Sequence, residues 1–384
     1  MSSPGPRGFR SRTAALGIKD EADDFAVVLS DVPAAVSAVF TRSRFVGHSV
    51  ALSRESAAAG TARGVVVVAR NANVATGAEG MANAREVRAT VAEAAGFAPE
   101  ELLIASTGVI GRQYPMDRVR SGLAKLPWPL PEADLEAAAR AIMTTDTVAK
   151  HVVLPCGDAT VAAIAKGVGM IEPNMATLLA FFFTDARLDQ PVLDRVFRRV
   201  VDRTFNALSI DTDTSTSDSA VILANGLAGP VDEAAFEAVL YQAALRLVRE
   251  IAADGEGASK LIEVRVVGAR DDAQAKRVGK TVVNSPLVKT AVHGADPNWG
   301  RVAMAIGKCE DDLDIDPANV VIRFGDVETY PAPSTDEVLA AATTHLKGDE
   351  VLITIDLGIA SGEFTVYGCD LTDGYIRINA DYTT

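Results

Sequence analysis

Thr177 stands between a turn rich in glycine and an apolar run, in the stretch KGVGMIEPNMATLLAFFFTDA (166–186). A threonine hydroxyl is a weak nucleophile until a base lies beside it, and a free terminal amine can be that base. The unperturbed pKa of such an amine is about 7.7–8.0, close to the pH at which a general base works best. Cleavage of the bond from Ala176 to Thr177 would create this amine. The alternative is that Thr177 simply begins a strand, which suits a β-branched residue.

The residues before Thr177 favour a tight turn. Pro173 fixes one backbone angle, while Gly167 and Gly169 let the chain fold closely on itself. Such a turn could press the Thr177 hydroxyl against the carbonyl carbon of Ala176. Attack there would convert the amide to an ester, which water would then open.

Other common chemistries lack their motifs. GVGMIE has no third glycine for a dinucleotide loop, no GxSxG elbow is present, and the four histidines show no HxxxH spacing for zinc. The stretch DTDTSTSD (211–218) opens like a calcium loop, but Thr216 takes the glycine position and Ile222 replaces the closing glutamate. We interpret it as a hydroxyl-rich turn or cap. We therefore predict no metal and no organic cofactor.

The totals limit the protein class. A chain of 384 residues indicates two or three packing units. The formal charge of −14 argues against a nucleic-acid partner, and no apolar run is long enough to cross a membrane. Three separated cysteines, an odd number with no CxxC pair, fit a reducing cytoplasm.

Short apolar runs alternate with helical patterns, which predicts an α/β protein with mixed sheets packed between helices as a layered (α+β) sandwich. The predicted strands are 24–31, 65–70, 102–111, LLAFFFTDA, LIEVRVVGA, NVVIRFG, EVLITIDLG, EFTVYGCD and YIRINA. The predicted helices are 80–97, 131–143, 191–208 and 232–254, with a further helix starting near Pro115.

Several blocks together carry a family resemblance. They are ASTGVIG, AIMTTDT, KGVGMIEPNMATLLAF, DTDTSTSD, GADPNWGR and the terminal YIRINADYTT. In this order, from about residue 8 to the last residue, the chain resembles the ornithine acetyltransferase family. These are self-processing, N-terminal-nucleophile glutamate N-acetyltransferases of arginine biosynthesis. Some details resemble the family's branch in the clavulanic-acid pathway. The implied fold is the ornithine acetyltransferase/DmpA-like one.

The resemblance implies a role for particular positions. Thr177 would be the nucleophile and its amine the base, after cleavage into an α subunit (1–176) and a β subunit (177–384). Thr107 and Gly108 would form the oxyanion hole, because a hydroxyl and a backbone N–H can meet the charge on the acetyl oxygen. The remaining implied substrate contacts are Thr144, Lys166, Asn379 and Thr384. Read without the family, ASTGVIG is a strand end entering a glycine turn, and a lone lysine is a surface group.

The resemblance also implies the partners and the reaction. The acetyl group would pass from N-acetylornithine to glutamate by a ping-pong mechanism, and cleaved protomers would associate as an α2β2 heterotetramer. Whether acetyl-CoA also donates is left open. Two rival functions remain at this point: an N-terminal-nucleophile amidase or aminopeptidase that passes the acyl group to water, and a binding protein without catalysis.

Three positions depart from the family pattern. GADPNWGR carries Ala295 where the family commonly has a glutamate that binds substrate, so that contact cannot be transferred. Asp296 or Glu172 are candidate replacements. Val168 and Val74 also stand where smaller or different residues are common. These changes indicate an altered substrate preference rather than lost chemistry.

The self-cleavage hypothesis is testable on the polypeptide itself. Thr177→Ala removes the attacking hydroxyl and should give one uncut, inactive chain, whereas Thr177→Ser should still be processed. Intact mass spectrometry of the wild type should find two fragments that meet at Ala176/Thr177. Two fragments from the alanine variant would show that another residue cuts the chain.

Overall fold

A computed structural model describes residues 5–18, 22–172 and 178–381. These residues form two compact units. The first contains residues 5–18, 22–167, 178–206 and 214–247, and the second contains residues 168–172, 207–213 and 248–381. Each unit has its own sheet and its own helices, so the predicted layered α/β class is confirmed.

The first unit is built on an eight-stranded mixed sheet. Its strands are β1 (Phe9–Ala14), β2 (Phe25–Phe40), β3 (Thr61–Val68), β4 (Leu102–Ser106), β5 (Lys150–Cys156), β6 (Ala159–Lys166), β7 (Leu179–Arg187) and β8 (Ser219–Pro230). The order is β4-β3-β2-β8-β7-β6-β5, with β1 added to β2. The pairs β3–β4 and β7–β8 are parallel and the others antiparallel.

Helices cover both faces of this sheet. They are α1 (His48–Ala57), α2 (Gly77–Ala95), α3 (Met116–Leu123), α4 (Leu135–Ala141) and α5 (Gln190–Arg203), followed by α6 (Glu233–Ala253), which begins in the first unit. Along β2, side chains alternate between the two faces. Phe25 and Val27 pack in the core that includes α1, α2 and α3, whereas Ala26 and Val28 pack in the core that includes α4. This alternation explains why β2 is apolar at every position from 25 to 29.

Strand β2 is longer than the sequence predicts. The expectation ended at residue 31, because Ser30, Asp31 and Pro33 are typical of turns. The strand continues to Phe40, and its pairing with β3 shifts register between Leu29 and Ala34. An irregularity at this place accommodates a proline, which has no N–H to give to a ladder.

The second unit is built on a five-stranded mixed sheet. Its strands are β9 (Leu261–Ala269), β10 (Val321–Phe324), β11 (Val327–Tyr330), β12 (Glu350–Asp356) and β13 (Gly362–Cys369), in the order β11-β10-β12-β9-β13. Its helices are α7 (Asp272–Val283), α8 (Pro286–His293), α9 (Trp299–Ile306), α10 (Asp336–Leu346) and α11 (Asp373–Ala380). The central strand, β12, pairs in parallel with β9. The buried Val264 and Val266 of β9 share a core with Val278 of α7.

The stretch YIRINA is a helix, so the predicted strand is wrong. Its alternating isoleucines match a strand pattern, but Ile376 and Ile378 are exposed and bury no face. The hydroxyl of Thr372 accepts from the N–H of Gly374 at the start of α11. Arg377 pairs with Asp373 one turn earlier, at 2.6 Å. The segment is too short for its apolar periodicity to distinguish a strand from a helix, and the cap and the i,i+4 ion pair favour the helix.

Phe182 on β7 offers a test of the first core. It is fully buried, and its ring makes edge-to-face contacts with the rings of Phe197 and Phe205, with centroid separations of 5.7 and 6.0 Å. Phe182→Ala should lower the free energy of unfolding by about 3–5 kcal/mol, since it removes a large buried ring and leaves a cavity. Urea unfolding measures this, with Phe45→Ala, 72% exposed, as the control expected within about 0.5 kcal/mol of wild type. Equal losses in the two variants would contradict the packing described.

Candidate functional site

Lys166 and Thr107 meet in the first unit. Lys166 is the last residue of β6 and only 8% exposed, and its ammonium nitrogen lies 3.2 Å from the Thr107 hydroxyl oxygen. Thr107 directly follows β4, which is not a neighbour of β6 in the sheet. The contact therefore joins residues 59 positions apart. It places a cation beside one of the two residues assigned to an oxyanion hole.

Gly108 occupies a place where no side chain fits. Its φ is +129°, and a Cβ there would lie 2.2 Å from the carbonyl carbon of Arg70. The loop after β3 comes this close because the N–H of Ala72 donates to the carbonyl of Val109, and Asn71 bridges to Thr107. Glycine is thus required at 108 by both conformation and space.

The loop that packs on Gly108 is itself strained. Arg70, Asn73 and Ala75 all have positive φ values, of 70°, 49° and 58°. Residues other than glycine and asparagine rarely adopt this region, and such residues cluster at functional sites. The Arg70 guanidinium reaches the backbone carbonyl of Thr144, to which it donates at 3.2 Å. Arg70 therefore links two of the predicted site positions.

A buried carboxylate, Asp146, lies near Thr144 and Lys166 and accepts hydrogen bonds from three groups. One oxygen of Asp146 accepts from the ammonium of Lys150 at 2.9 Å and from the N–H of Gly167 at 2.8 Å. The second oxygen accepts from the N–H of Thr144 at 3.1 Å. The side chains of Asp146 and Lys150 are both fully buried. Asp146 thus ties Thr144 to the residue that follows Lys166.

The charge of Asp146 follows from its surroundings. Burial alone would raise the pKa of its carboxyl group. The positive charges of Lys166 and Lys150, with the hydrogen bond from Gly167, outweigh burial and lower that pKa below its ordinary value. Asp146 is therefore a carboxylate at neutral pH.

Asn379 lies in the second unit, on α11. Its amide donates to the Glu256 carboxylate at 2.8 Å and to the Tyr375 carbonyl at 3.1 Å. Glu256 is 8% exposed, and its backbone N–H donates to the carbonyl of Val168 at 2.8 Å. A Cβ at Gly169 would lie 2.3 Å from the Glu256 carboxylate. Asn379 is thus part of a local cluster of its own unit.

The two candidate replacements for the family glutamate differ in their surroundings. Glu172 accepts from the Ser209 hydroxyl at 2.9 Å and from the Asn284 amide at 2.5 Å. Asp296 accepts from the Asn298 amide at 3.3 Å in an exposed turn. Position 295 itself carries an alanine with φ of 53°.

Three predicted site residues, Ala176, Thr177 and Thr384, lie outside the described residues. The described chain resumes at Leu178, whose carbonyl accepts from the N–H of Ser219. Leu179, the first residue of β7, pairs with Lys166 across the ladder of β6 and β7.

The segment 211–218 is irregular, as the turn interpretation predicts. The Asp211 carboxylate accepts from the N–H groups of Met170, Ile171 and Asp213, at 2.6, 2.8 and 3.2 Å. Across the described ranges, no group of three histidine, cysteine or acidic side chains is arranged to hold a metal ion. None of the helices in those ranges combines the length and apolarity needed to span a bilayer.

Sequence reasoning missed Arg70 and Asp146. Asp146 sits inside the quoted block AIMTTDT, and Arg70 ends the run VVVVAR, but neither had a motif that assigned it a role. For Arg70 the available signal was a charged residue soon after the buried strand β3, whereas Asp146 lies in the loop between α4 and β5 and had none. Their contacts depend on which loops meet, which periodicity does not reveal.

The buried Asp146 carboxylate allows a prediction of how stability depends on pH. Asp146→Asn should lower the free energy of unfolding at pH 7 by about 3–5 kcal/mol, because it breaks the buried ion pair with Lys150. The carboxyl pKa is depressed in the folded state, so its stabilisation is present above the ordinary value near pH 4 and is lost below it. Urea unfolding should therefore show a difference between variant and wild type that shrinks as the pH falls below about 4.

A second substitution serves as the control. Asp146→Asn combined with Lys150→Met removes the uncompensated ammonium and should recover part of the lost stability. A single variant as stable as wild type at pH 7 would mean that the pair contributes nothing.

Comparison with known proteins identifies relatives along the whole chain. A model described as the ArgJ family matches residues 10–384. A glutamate N-acetyltransferase from Streptomyces clavuligerus is 67% identical over 385 residues, 99% of this chain and 98% of that protein. The arginine biosynthesis bifunctional protein ArgJ 2 from Nostoc is 55% identical over 383 residues, 100% of this chain and 99% of that protein. The protein named arginine biosynthesis bifunctional protein ArgJ from Rhodococcoides fascians is 55% identical over 387 residues, 100% of this chain and 96% of that protein. The resemblance read from the sequence is confirmed, and the chain belongs to the ArgJ family.

Proposed function

We propose that this protein is a glutamate N-acetyltransferase that moves an acetyl group from N-acetylornithine to glutamate. The observation that carries the proposal is the contact of Lys166 with Thr107, in a chain of this family. This contact places a cation that can bind a substrate carboxylate next to a hydroxyl that can stabilise an oxyanion. The names of the relatives, acetyltransferases and arginine biosynthesis proteins, support the same reaction.

The nucleophile in this proposal is made by self-cleavage. The Thr177 hydroxyl attacks the carbonyl carbon of Ala176, the peptide becomes an ester, and water releases Thr177 with a free amine. Residues 1–176 then form one subunit and residues 177–384 the other. Both residues of the cut lie outside the described part of the chain. The pairing of Leu179 with Lys166 supports the assignment, since it fixes the chain two residues after Thr177 beside the cluster.

The acyl transfer then follows two balanced steps. The Thr177 hydroxyl attacks the acetyl carbonyl of N-acetylornithine while its own amine takes the hydroxyl proton. The same amine protonates the leaving ornithine, and an acetyl ester remains. The amine of glutamate attacks this ester, and the Thr177 amine takes the proton that the attacking nitrogen loses and passes it to the departing Thr177 oxygen. N-acetylglutamate leaves, and the Thr177 hydroxyl is regenerated. No cofactor takes part.

Thr107 and Gly108 stabilise the oxyanion of each tetrahedral intermediate. A hydroxyl and a backbone N–H that are fixed in advance cost no reorganisation when the charge develops. The fixed conformation of Gly108 against Arg70, and the cation of Lys166 next to the Thr107 hydroxyl, support this role.

Substrate binding is assigned to Thr144, Lys166, Asn379 and Thr384. Lys166 supplies positive charge for an amino-acid carboxylate, and its burial makes that charge more effective than at a surface. The Asp146 carboxylate holds the backbone on both sides, at Thr144 and at Gly167. The amide of Asn379 is oriented by Glu256.

The broader setting is part of the proposal. Cleaved protomers associate as α2β2, in the cytoplasm, and the pathway is arginine biosynthesis or its clavulanic-acid counterpart. Cys156, Cys309 and Cys369 are unpaired thiols, which fits a reducing compartment. Relatives named as transferases favour transfer over the rival hydrolysis.

The reaction is tested with N-acetylornithine and glutamate. The wild type should form N-acetylglutamate with ping-pong kinetics, and without glutamate it should release about one ornithine per site and no continuing acetate. Thr107→Val removes one oxyanion donor and should lower kcat by about 100-fold to 1,000-fold. Thr344→Val, an exposed threonine on α10, is the matched control. Steady acetate release without an acceptor would show a hydrolase, and an unchanged Thr107→Val would remove that residue from the oxyanion hole.

A further inference from the structure

Arg70 holds a backbone conformation that costs free energy. With φ of 70° it lies in the left-handed region, where glycine or asparagine would sit without comparable strain. A long charged side chain is kept there although its backbone alone would favour a smaller residue. Strain of this kind is typical of positions whose side chain serves a site.

The surroundings fix where the Arg70 side chain begins. Its backbone packs directly on Gly108, at the position that a Cβ of residue 108 would need. The carbonyl of Arg70 accepts from the N–H of Val109 at 3.4 Å. Arg70 is therefore held against the pair assigned to the oxyanion hole, and its side chain extends from that pair to Thr144.

The guanidinium group is only partly used. One terminal nitrogen donates to the Thr144 carbonyl at 3.2 Å, while Nε is buried with no acceptor among the described residues. No carboxylate in the described part of the chain forms an ion pair with Arg70. Lys150, in contrast, is matched by Asp146 at 2.9 Å. Arg70 thus brings a full positive charge and unused donors in a planar fork that suits a carboxylate.

We propose that Arg70 binds the side-chain carboxylate of the acyl acceptor and makes the site select an acidic amino acid. The inference rests on the proposed acetyl transfer, in which Lys166 meets the carboxylate next to the reacting amine. Arg70 then meets the second carboxylate. The same charge repels the side-chain ammonium of ornithine, which favours exchange of the cationic product for the anionic acceptor.

The test compares glutamate with glutamine, which has the same shape without the charge. Arg70→Asn tolerates the left-handed backbone and removes the charge, and Arg70→Gly removes the strain as well. Both variants should raise the KM and the calorimetric Kd for glutamate by about 10-fold to 100-fold, because they remove hydrogen bonds to a charged group. Glutamine should change by less than about 2-fold, and N-acetylornithine should bind equally or more tightly. Arg70→Lys should retain part of the preference for glutamate.

A matched control and the opposing outcomes complete the design. Arg12→Asn alters a half-buried arginine that also has a buried Nε without an acceptor but lies on β1, and it should leave all constants unchanged. An unchanged preference for glutamate over glutamine in both Arg70 variants overturns the inference. So does an equal loss for donor and both acceptors, which would mark a purely positioning role.

The binding measurement separates this inference from the proposed function. A wild type that binds glutamate through Arg70 but transfers no acetyl group would refute the transfer alone. A wild type that transfers acetyl groups while its Arg70 variants keep their selectivity would refute the role of Arg70 alone. A wild type without affinity for glutamate refutes both.

Discussion

The buried carboxylate of Asp146 is the constraint from which the rest of the first unit's site follows. A charge in the interior is stable only with matched partners, and here Lys150 and the N–H groups of Thr144 and Gly167 supply them. Thr144 is one of the predicted site positions, and Gly167 directly follows another, Lys166. Separating Asp146 from Lys150 would break a fully buried ion pair, so the cost of separation holds these segments together.

A second constraint is the close approach of two loops. Gly108 has no side chain, and Arg70 fills the space that a side chain would take. Two parts of the backbone can therefore come nearer than any other residue at 108 would allow. The strain at Arg70 and Ala75 lies in the loop that makes this approach. Conformational cost is thus located where a preorganised oxyanion site would gain from rigidity.

The charge of Arg70 is the basis of the acceptor preference proposed above. The Arg70 guanidinium donates to the Thr144 carbonyl, and no carboxylate among the described residues forms an ion pair with it. A cation favours an anionic ligand over a cationic one. The proposed acceptor and donor differ in this respect, since glutamate has a side-chain carboxylate and N-acetylornithine has a side-chain ammonium.

Much of the architecture was already determined by the sequence. Apolar periodicity was enough for α2, α6, β7 and β12, because long regular segments leave few alternatives. Periodicity failed for YIRINA, where six residues fit either pattern and the cap at Thr372 decided for a helix. It also ended β2 early, because a register shift allowed a strand to pass its turn-like residues.

The site divides in the same way. Its unusual motifs indicated the family and the positions Thr107, Gly108, Thr144 and Lys166, since residue types and order are visible along the chain. Their meeting was decided by the tertiary structure, because β4 and β6 are not neighbours in the sheet. The contacts of Arg70 and Asp146 could be seen only in the tertiary structure. What a charged side chain does depends on the groups around it, and some of those groups come from segments distant in sequence.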